Sequence, residues 1–146
     1  MDLILESLSK QTVVPDEVIV SEDGDSKGMS EYVCAVKNRY SNLNIIHSSQ
    51  EDSGWRKNRA LNRAVIASKC EYLIFIDGDC VPYDNFVEWH VKLAKKNSVL
   101  CGRRSEPGES ISNKIRNREI SAEKYRKNYL KLFFEGSIKL KRIFSY

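Results

Sequence analysis

Two periods of apolar spacing alternate along the first hundred residues. Leu3, Ile4 and Leu8 fall on one helical face and predict a short helix from Met1 to Ser9, which Gln11 to Pro15 interrupts. Glu17-Val18-Ile19-Val20-Ser21 is a short β-branched run and reads as a strand, closed by the turn cluster Glu22 to Ser26. Tyr32, Val33, Val36 and Tyr40 return to helical spacing and predict a helix from Met29 to Tyr40, with a second short strand from Asn44 to His47. A polar loop, Ser48 to Gly54, leads to a helix from Trp55 to Ser68 whose apolar face is Ala60, Leu61, Ala64, Val65 and Ala67. Tyr72-Leu73-Ile74-Phe75-Ile76 is the most apolar run of the chain and predicts a strand covered on both faces. Asn85 to Lys96 follows as a helix with Phe86, Val87, His90 and Leu93 facing inward, and Val99 to Gly102 as one more short strand.

Strands alternating with helices predict an α/β fold with a parallel or mostly parallel sheet. Ligands of such sheets bind beyond the carboxyl ends of the strands. Glu22-Asp23, the Ser48 to Gly54 loop and Asp77/Asp79 all fall at such ends, so one polar rim is expected to gather them. The pattern weakens near Gly108. We therefore divide the chain into residues 1–108, an α/β half-domain, and residues 109–146, a helical extension with Ile115, Ala122, Tyr125, Tyr129 and Leu132 at helical spacing, interrupted at Gly136.

Charge sharpens that division. Residues 112–146 hold ten Lys or Arg and three Glu, a balance of +7 against +4 for the whole chain, so residues 1–111 carry −3. With 41% hydrophobic and 30% charged residues the chain has the composition of a globular domain, and no apolar run approaches membrane-spanning length. The start has no secretion-signal pattern, which makes a cytoplasmic location the default expectation. Cys34, Cys70, Cys80 and Cys101 contain no Cys-x-x-Cys spacing and are expected to be free, mostly buried thiols. His47 is expected to close a sheet edge and His90 to be a core histidine.

Candidate chemistry centres on Asp77-Gly78-Asp79. Two carboxylates one residue apart repel unless a cation joins them, and a hard divalent ion such as Mg²⁺ or Mn²⁺ prefers those oxygen ligands and can bridge them to phosphate. Gly78 leaves room for a closely approaching ligand. The alternative from the residues alone is a solvated turn after a strand.

The run Tyr72-Leu73-Ile74-Phe75-Ile76-Asp77-Gly78-Asp79-Cys80-Val81-Pro82 resembles the DxD strand of family 2 glycosyltransferases, which have the Rossmann-like GT-A fold. Ser7-Leu8, Gln11-Thr12 and Pro15-Asp16-Glu17-Val18-Ile19-Val20 resemble that family's first helix and second strand. Gly54-Trp55-Arg56-Lys57 and Leu61-Asn62-Arg63-Ala64 resemble its glycine loop and following helix, and Phe86-Val87, His90 and Gly102-Arg103 fit one bacterial branch. The resemblance runs in order from about Leu3 to Arg104.

What it implies is inverting, metal-assisted transfer of a sugar from a nucleoside-diphosphate sugar to an acceptor hydroxyl, within polysaccharide biosynthesis. By position, Asp23 meets the uracil ring of a UDP-linked donor, Asp77 the ribose or the metal, and Asp79 the metal directly. Arg56 and Lys57 approach the nucleotide, Gly78 lies between the two acidic residues, and Asn62 contacts the nucleotide or braces the helix. The chain has Ala60-Leu61-Asn62 where many relatives have Ala-Arg-Asn, so Arg56 or Arg59 is expected to replace that arginine. The family's opening strand, its acceptor half and its catalytic base have no counterpart. Glu106, Glu109, Glu119 and Glu123 match no base motif, so the chain is expected to bind donor weakly and turn over little alone.

The basic extension, with Tyr125, Tyr129, Phe133, Phe134 and Phe144 among Lys and Arg, allows a peripheral contact of residues 112–146 with the inner face of a membrane. Packing on the domain is the simpler expectation, and nucleic acid is not an expected partner. The acceptor implied is a glycan or a lipid-linked glycan. Two other readings stand: a non-catalytic nucleotide-binding remnant, and a haloacid-dehalogenase-like phosphohydrolase. The second also has Asp-x-Asp after a strand, but usually has a nearby Thr that Cys80-Val81-Pro82 lacks.

Overall fold

The computed structural model describes residues 1–102, 104–105, 107–121 and 124–125. Among them are five helices and a two-stranded parallel sheet, an α/β arrangement consistent with a GT-A domain. Helix α1, Asp2–Ser9, buries Ile4, Leu5 and Leu8, spaced as the sequence requires for one face. Strand β1, Val18–Ser21, is followed by α2, Lys27–Arg39, whose N-cap Ser26 accepts a hydrogen bond from the Met29 amide at 3.3 Å. Lys37 and Arg39 occupy the last turn of α2, where the helix dipole favours cations. Strand β2, Ile45–Ser48, pairs with β1 in the register Val18 to Ile45 through Ser21 to Ser48.

These elements close one core. Ile4, Leu5 and Leu8 from α1, Val20 from β1, Val33 and Val36 from α2, Leu43, and Ile45 from β2 form a continuous buried cluster, with Tyr32 and Val81 packed against it. Asp2 ties α1 to α2 by accepting the Tyr32 hydroxyl at 2.6 Å. Helix α3, Lys57–Ala67, lies against both strands, with Ala60 fully buried. Helix α4, Phe86–Leu93, buries Val87, and α5, Glu109–Arg116, buries Ile111 against Tyr125. Buried Gln11 joins α1 to α4: its amide nitrogen donates to the Ser7 and Tyr83 carbonyls (3.2 and 2.6 Å), and its oxygen accepts from the Val87 amide (3.0 Å).

Two expected strands are not strands. Tyr72 to Ile76 is not hydrogen-bonded into the sheet, and Phe75 is 60% exposed. A cavity of about 270 Å³ separates it from β1, bounded by Val18, Val20 and Ser21 on one side and Leu73, Phe75 and Ile76 on the other. Side chains of Ile4, Leu5, Ala60 and Ala64 complete its walls. A ladder needs neighbours about 4.8 Å apart, and the gap removes that neighbour. Both sides nonetheless run in the same direction. Glu17, at the start of β1, accepts from the Lys69 amide and the Ser68 hydroxyl (3.0 and 3.1 Å), while Asp23 and Asp77, at the far ends, are joined through Arg56 and Lys57. The second correction is Val99 to Gly102, which is exposed and unpaired.

Helix limits move by a few residues. Trp55 and Arg56 precede α3, and α4 stops at Leu93, before Lys95 and Lys96. Val65 and Ala67 of the expected apolar face are exposed, and Ile66 is 83% exposed. Ala122, Tyr129, Leu132, Phe133, Phe134, Gly136 and Phe144 of the expected basic helix lie outside the described residues, as do Arg103, Glu106 and Glu123.

Candidate functional site

Asp77, Gly78 and Asp79 form an exposed turn, closed by the Cys80 amide donating to the Asp77 carbonyl at 3.0 Å. One ligand atom each from Asp77, Asp79 and Cys80 lies within 4.8 Å of the others. A Cβ built on Gly78 would meet nothing within 4 Å, so the space beside the turn is open.

Asp77 is held by two cations. Lys57 Nζ lies 2.8 Å from Oδ1 and Arg104 lies 3.7 Å from Oδ2. The hydrogen bond from Lys57 keeps the Asp77 carboxyl below the usual carboxylate range, and the same bond raises the Lys57 ammonium. Asp79 carries no ion pair among the described residues; the Cys80 thiol lies 3.5 Å from its Oδ1. The two carboxylates converge with the hard oxygen donors that Mg²⁺ or Mn²⁺ prefers, and the thiol beside them is a softer ligand. The residues present therefore fit a divalent cation, with Lys57 as a competitor at Asp77.

Asp23, just past β1, is exposed, and its carboxylate clasps the loop between β2 and α3. Oδ1 accepts from Gln50 Nε2 at 2.6 Å and Oδ2 from the Arg56 amide at 2.7 Å. The Gln50 amide donates to the Gly24 carbonyl at 3.0 Å. Gly54 supplies the turn within the loop at φ +81°, a conformation that a Cβ would strain. Arg56 thus contributes its backbone to the Asp23 clasp, while its side chain is exposed. Lys57, the first residue of α3, reaches Asp77. Asp23 and Asp77 are thereby connected through two consecutive residues, and both line the same cavity as Lys57 and Gly78.

Asn62 is exposed on α3 and does not line that cavity, so the structure does not join it to the Asp77 turn.

Two participants, Gln50 and Arg104, are not among the site residues expected from the sequence. Gln50 is only 6% exposed and is the buried half of the Asp23 clasp. Its place in a rim loop after a strand was the available signal, but a single Gln in a polar loop does not announce burial. Arg104 adds the second cation at Asp77. Glu22 and His47 form a pair at the ends of β1 and β2, 2.9 Å apart and each 15% exposed. Burial pushes the Glu22 carboxyl up, but hydrogen bonds from the Ser26 hydroxyl and amide and from His47 bring it below its ordinary value.

Two smaller expectations change. His90 is half-buried, with its Nδ1 3.2 Å from the Tyr72 hydroxyl and its ring edge-on to Phe86, and burial lowers its pKa. All four cysteines are free, as expected, but Cys34 and Cys101 are exposed and Cys70 and Cys80 half-buried, so none is the buried hydrophobe that its composition suggests.

The chain thus combines an α/β fold with an acidic turn beyond Ile76. Residues 2–144 match the family model described as Glycosyl transferase family 2, and the chain belongs to that family. It is similar to the protein named "Putative glycosyltransferase EpsH" from Bacillus subtilis (strain 168), 25% identical over 143 residues that cover 92% of this chain and 39% of that protein. No solved structure matches the chain. Among the described residues no helix is long and apolar enough to cross a membrane.

Proposed function

We propose that residues 1–108 form the donor-binding part of an inverting glycosyltransferase that takes its sugar from a UDP-linked donor and delivers it to a hydroxyl of a glycan or lipid-linked acceptor. The observation that supports this most is the convergence of Asp23, Lys57, Asp77 and Gly78 on one cavity at the ends of β1 and the Tyr72 to Ile76 segment, with Asp79 next along the same turn. Membership of family 2 implies sugar transfer in general. UDP, the cation and the acceptor are our reading of the site.

In this reading Asp23 accepts the uracil N–H. Two of its roughly four lone-pair directions are used by Gln50 and Arg56, and its exposure leaves the others accessible. Asp79 and Asp77 would hold Mn²⁺ or Mg²⁺, which when bound neutralises charge on the diphosphate as the sugar leaves. Lys57 and Arg56 offer positive charge to the same diphosphate, so Lys57 exchanges an ion pair with Asp77 for one with phosphate. Gly78 borders the donor through the open space beside it, and Asn62 braces α3 away from the cavity. The group that deprotonates the acceptor lies beyond this half of the enzyme. The basic excess of residues 112–146 suits a peripheral contact with an anionic membrane face, with packing on the domain as the simpler alternative.

Calorimetric titration of UDP with Mn²⁺, then with EDTA, tests the reading. Binding that needs the cation and disappears in Asp79→Ala is expected. Binding indifferent to both changes would assign the turn to structure alone.

A further inference from the structure

Gln50 presents a contradiction. It is buried, yet its carboxamide oxygen has no hydrogen-bond partner. Its nitrogen donates to Asp23 Oδ1 at 2.6 Å and lies 3.4 Å from the Arg56 carbonyl. Rotating the amide by half a turn would set its oxygen against the Asp23 carboxylate and the Arg56 carbonyl, so the orientation is dictated by those two acceptors. The unpaired oxygen is the consequence. A methionine has nearly the same shape and leaves no buried polar atom, so packing alone does not require glutamine here.

We infer that Gln50 is a positioning residue that aims the Asp23 carboxylate, and through it sets which nucleobase the site prefers. Gln50 holds Oδ1 while the Arg56 amide holds Oδ2, so the carboxylate is restrained at both oxygens. A restrained carboxylate presents its remaining lone pairs in one direction, which suits a base with an imide N–H at a fixed position. Without Gln50 the carboxylate turns about the single bond to Arg56 and loses that preference. The inference rests on the UDP reading above for its ligand, but its effect on Asp23 is a property of the free protein.

Gln50→Met tests it, with UDP and ADP as probes in the presence of Mn²⁺. The two nucleotides share the diphosphate and differ in the base. For the unaltered chain UDP is expected to bind more tightly than ADP. In Gln50→Met the UDP affinity is expected to fall about tenfold, the scale of one hydrogen bond involving a charged group, with ADP affinity unchanged and the melting temperature equal or higher. Gln50→Asn, whose shorter amide cannot span the same distance, should resemble Met. An unchanged UDP-to-ADP ratio in Gln50→Met overturns the inference, as does equal loss of both nucleotides, which would signify a merely structural loop. If the unaltered chain binds neither nucleotide, the UDP reading fails by itself. Hydrogen exchange at the Arg56 amide then decides the positioning: faster exchange in Gln50→Met supports it, and identical exchange rejects it.

Discussion

Lys57 Nζ sits 2.8 Å from Asp77 Oδ1, so the first residue of one helix neutralises the first carboxylate of the acidic turn. Both side chains are about half exposed, which makes the pair exchangeable: either partner can be released to a ligand without leaving a buried charge. Replacing Lys57 by Met should tighten Mn²⁺ binding to the nucleotide-free chain by about twofold to fivefold, the span expected for an exposed ion pair. It should weaken UDP, which loses a cation. Paramagnetic resonance of free Mn²⁺ measures the first effect and calorimetry the second; tighter UDP in Lys57→Met would refute the exchange.

Asp79 lacks such a competitor among the described residues and is exposed. Asp79→Asn should therefore abolish cation-dependent nucleotide binding while changing fold stability by no more than about 0.5 kcal/mol, as surface substitutions do. A urea melt shifted well beyond that would give Asp79 a structural role instead.

Gln11 is the polar staple of the fold. Gln11→Ala leaves the Val87 amide without its partner, at a cost of about 2 kcal/mol. The loss should appear first as faster hydrogen exchange in α4, since Val87 opens that helix. By comparison, Leu5→Ala, at 1% exposure in the core, should cost about 3 kcal/mol and destabilise the chain throughout. Comparable exchange patterns in the two variants would contradict the division of labour.

Glu22 links β1 to the start of α2 and to His47, and its folded pKa lies below the unfolded value. A depressed carboxyl adds stability that is fully present above its unfolded pKa, roughly 4.3, and is lost as pH falls through the folded value. Urea midpoints should therefore decline from about pH 5 downward, more steeply in the unaltered chain than in Glu22→Gln. Parallel pH curves for the two would remove Glu22 from the acid response.

The polar rim was legible before any coordinates because its logic is local. Asp23 follows a β-branched run and Asp77/Asp79 follow the most apolar run of the chain, and strand ends are where such sheets bind ligands. The structure places Asp23, Lys57, Asp77 and Gly78 around one cavity in agreement with that reading. Helical spacing gives a face only relative to neighbours: α3 leaves Asn62 exposed and off the cavity, while the part-exposed Val65 lines it. Gln50 was invisible for a related reason: burial of a loop side chain depends on what the loop folds onto, here Asp23 and the Arg56 backbone.

By itself the sequence determined the order of helices and paired strands, the acidic turn, and the family resemblance, because periodicity, β-branching and short motifs act over a few neighbouring residues. Only the tertiary structure decided which apolar run became a strand. Val18 to Ser21 and Ile45 to Ser48 found each other at ladder spacing, whereas Tyr72 to Ile76, more apolar than either, faces β1 across a cavity. Propensity prepares a segment for a sheet, but a strand exists only when another backbone lies within hydrogen-bonding reach.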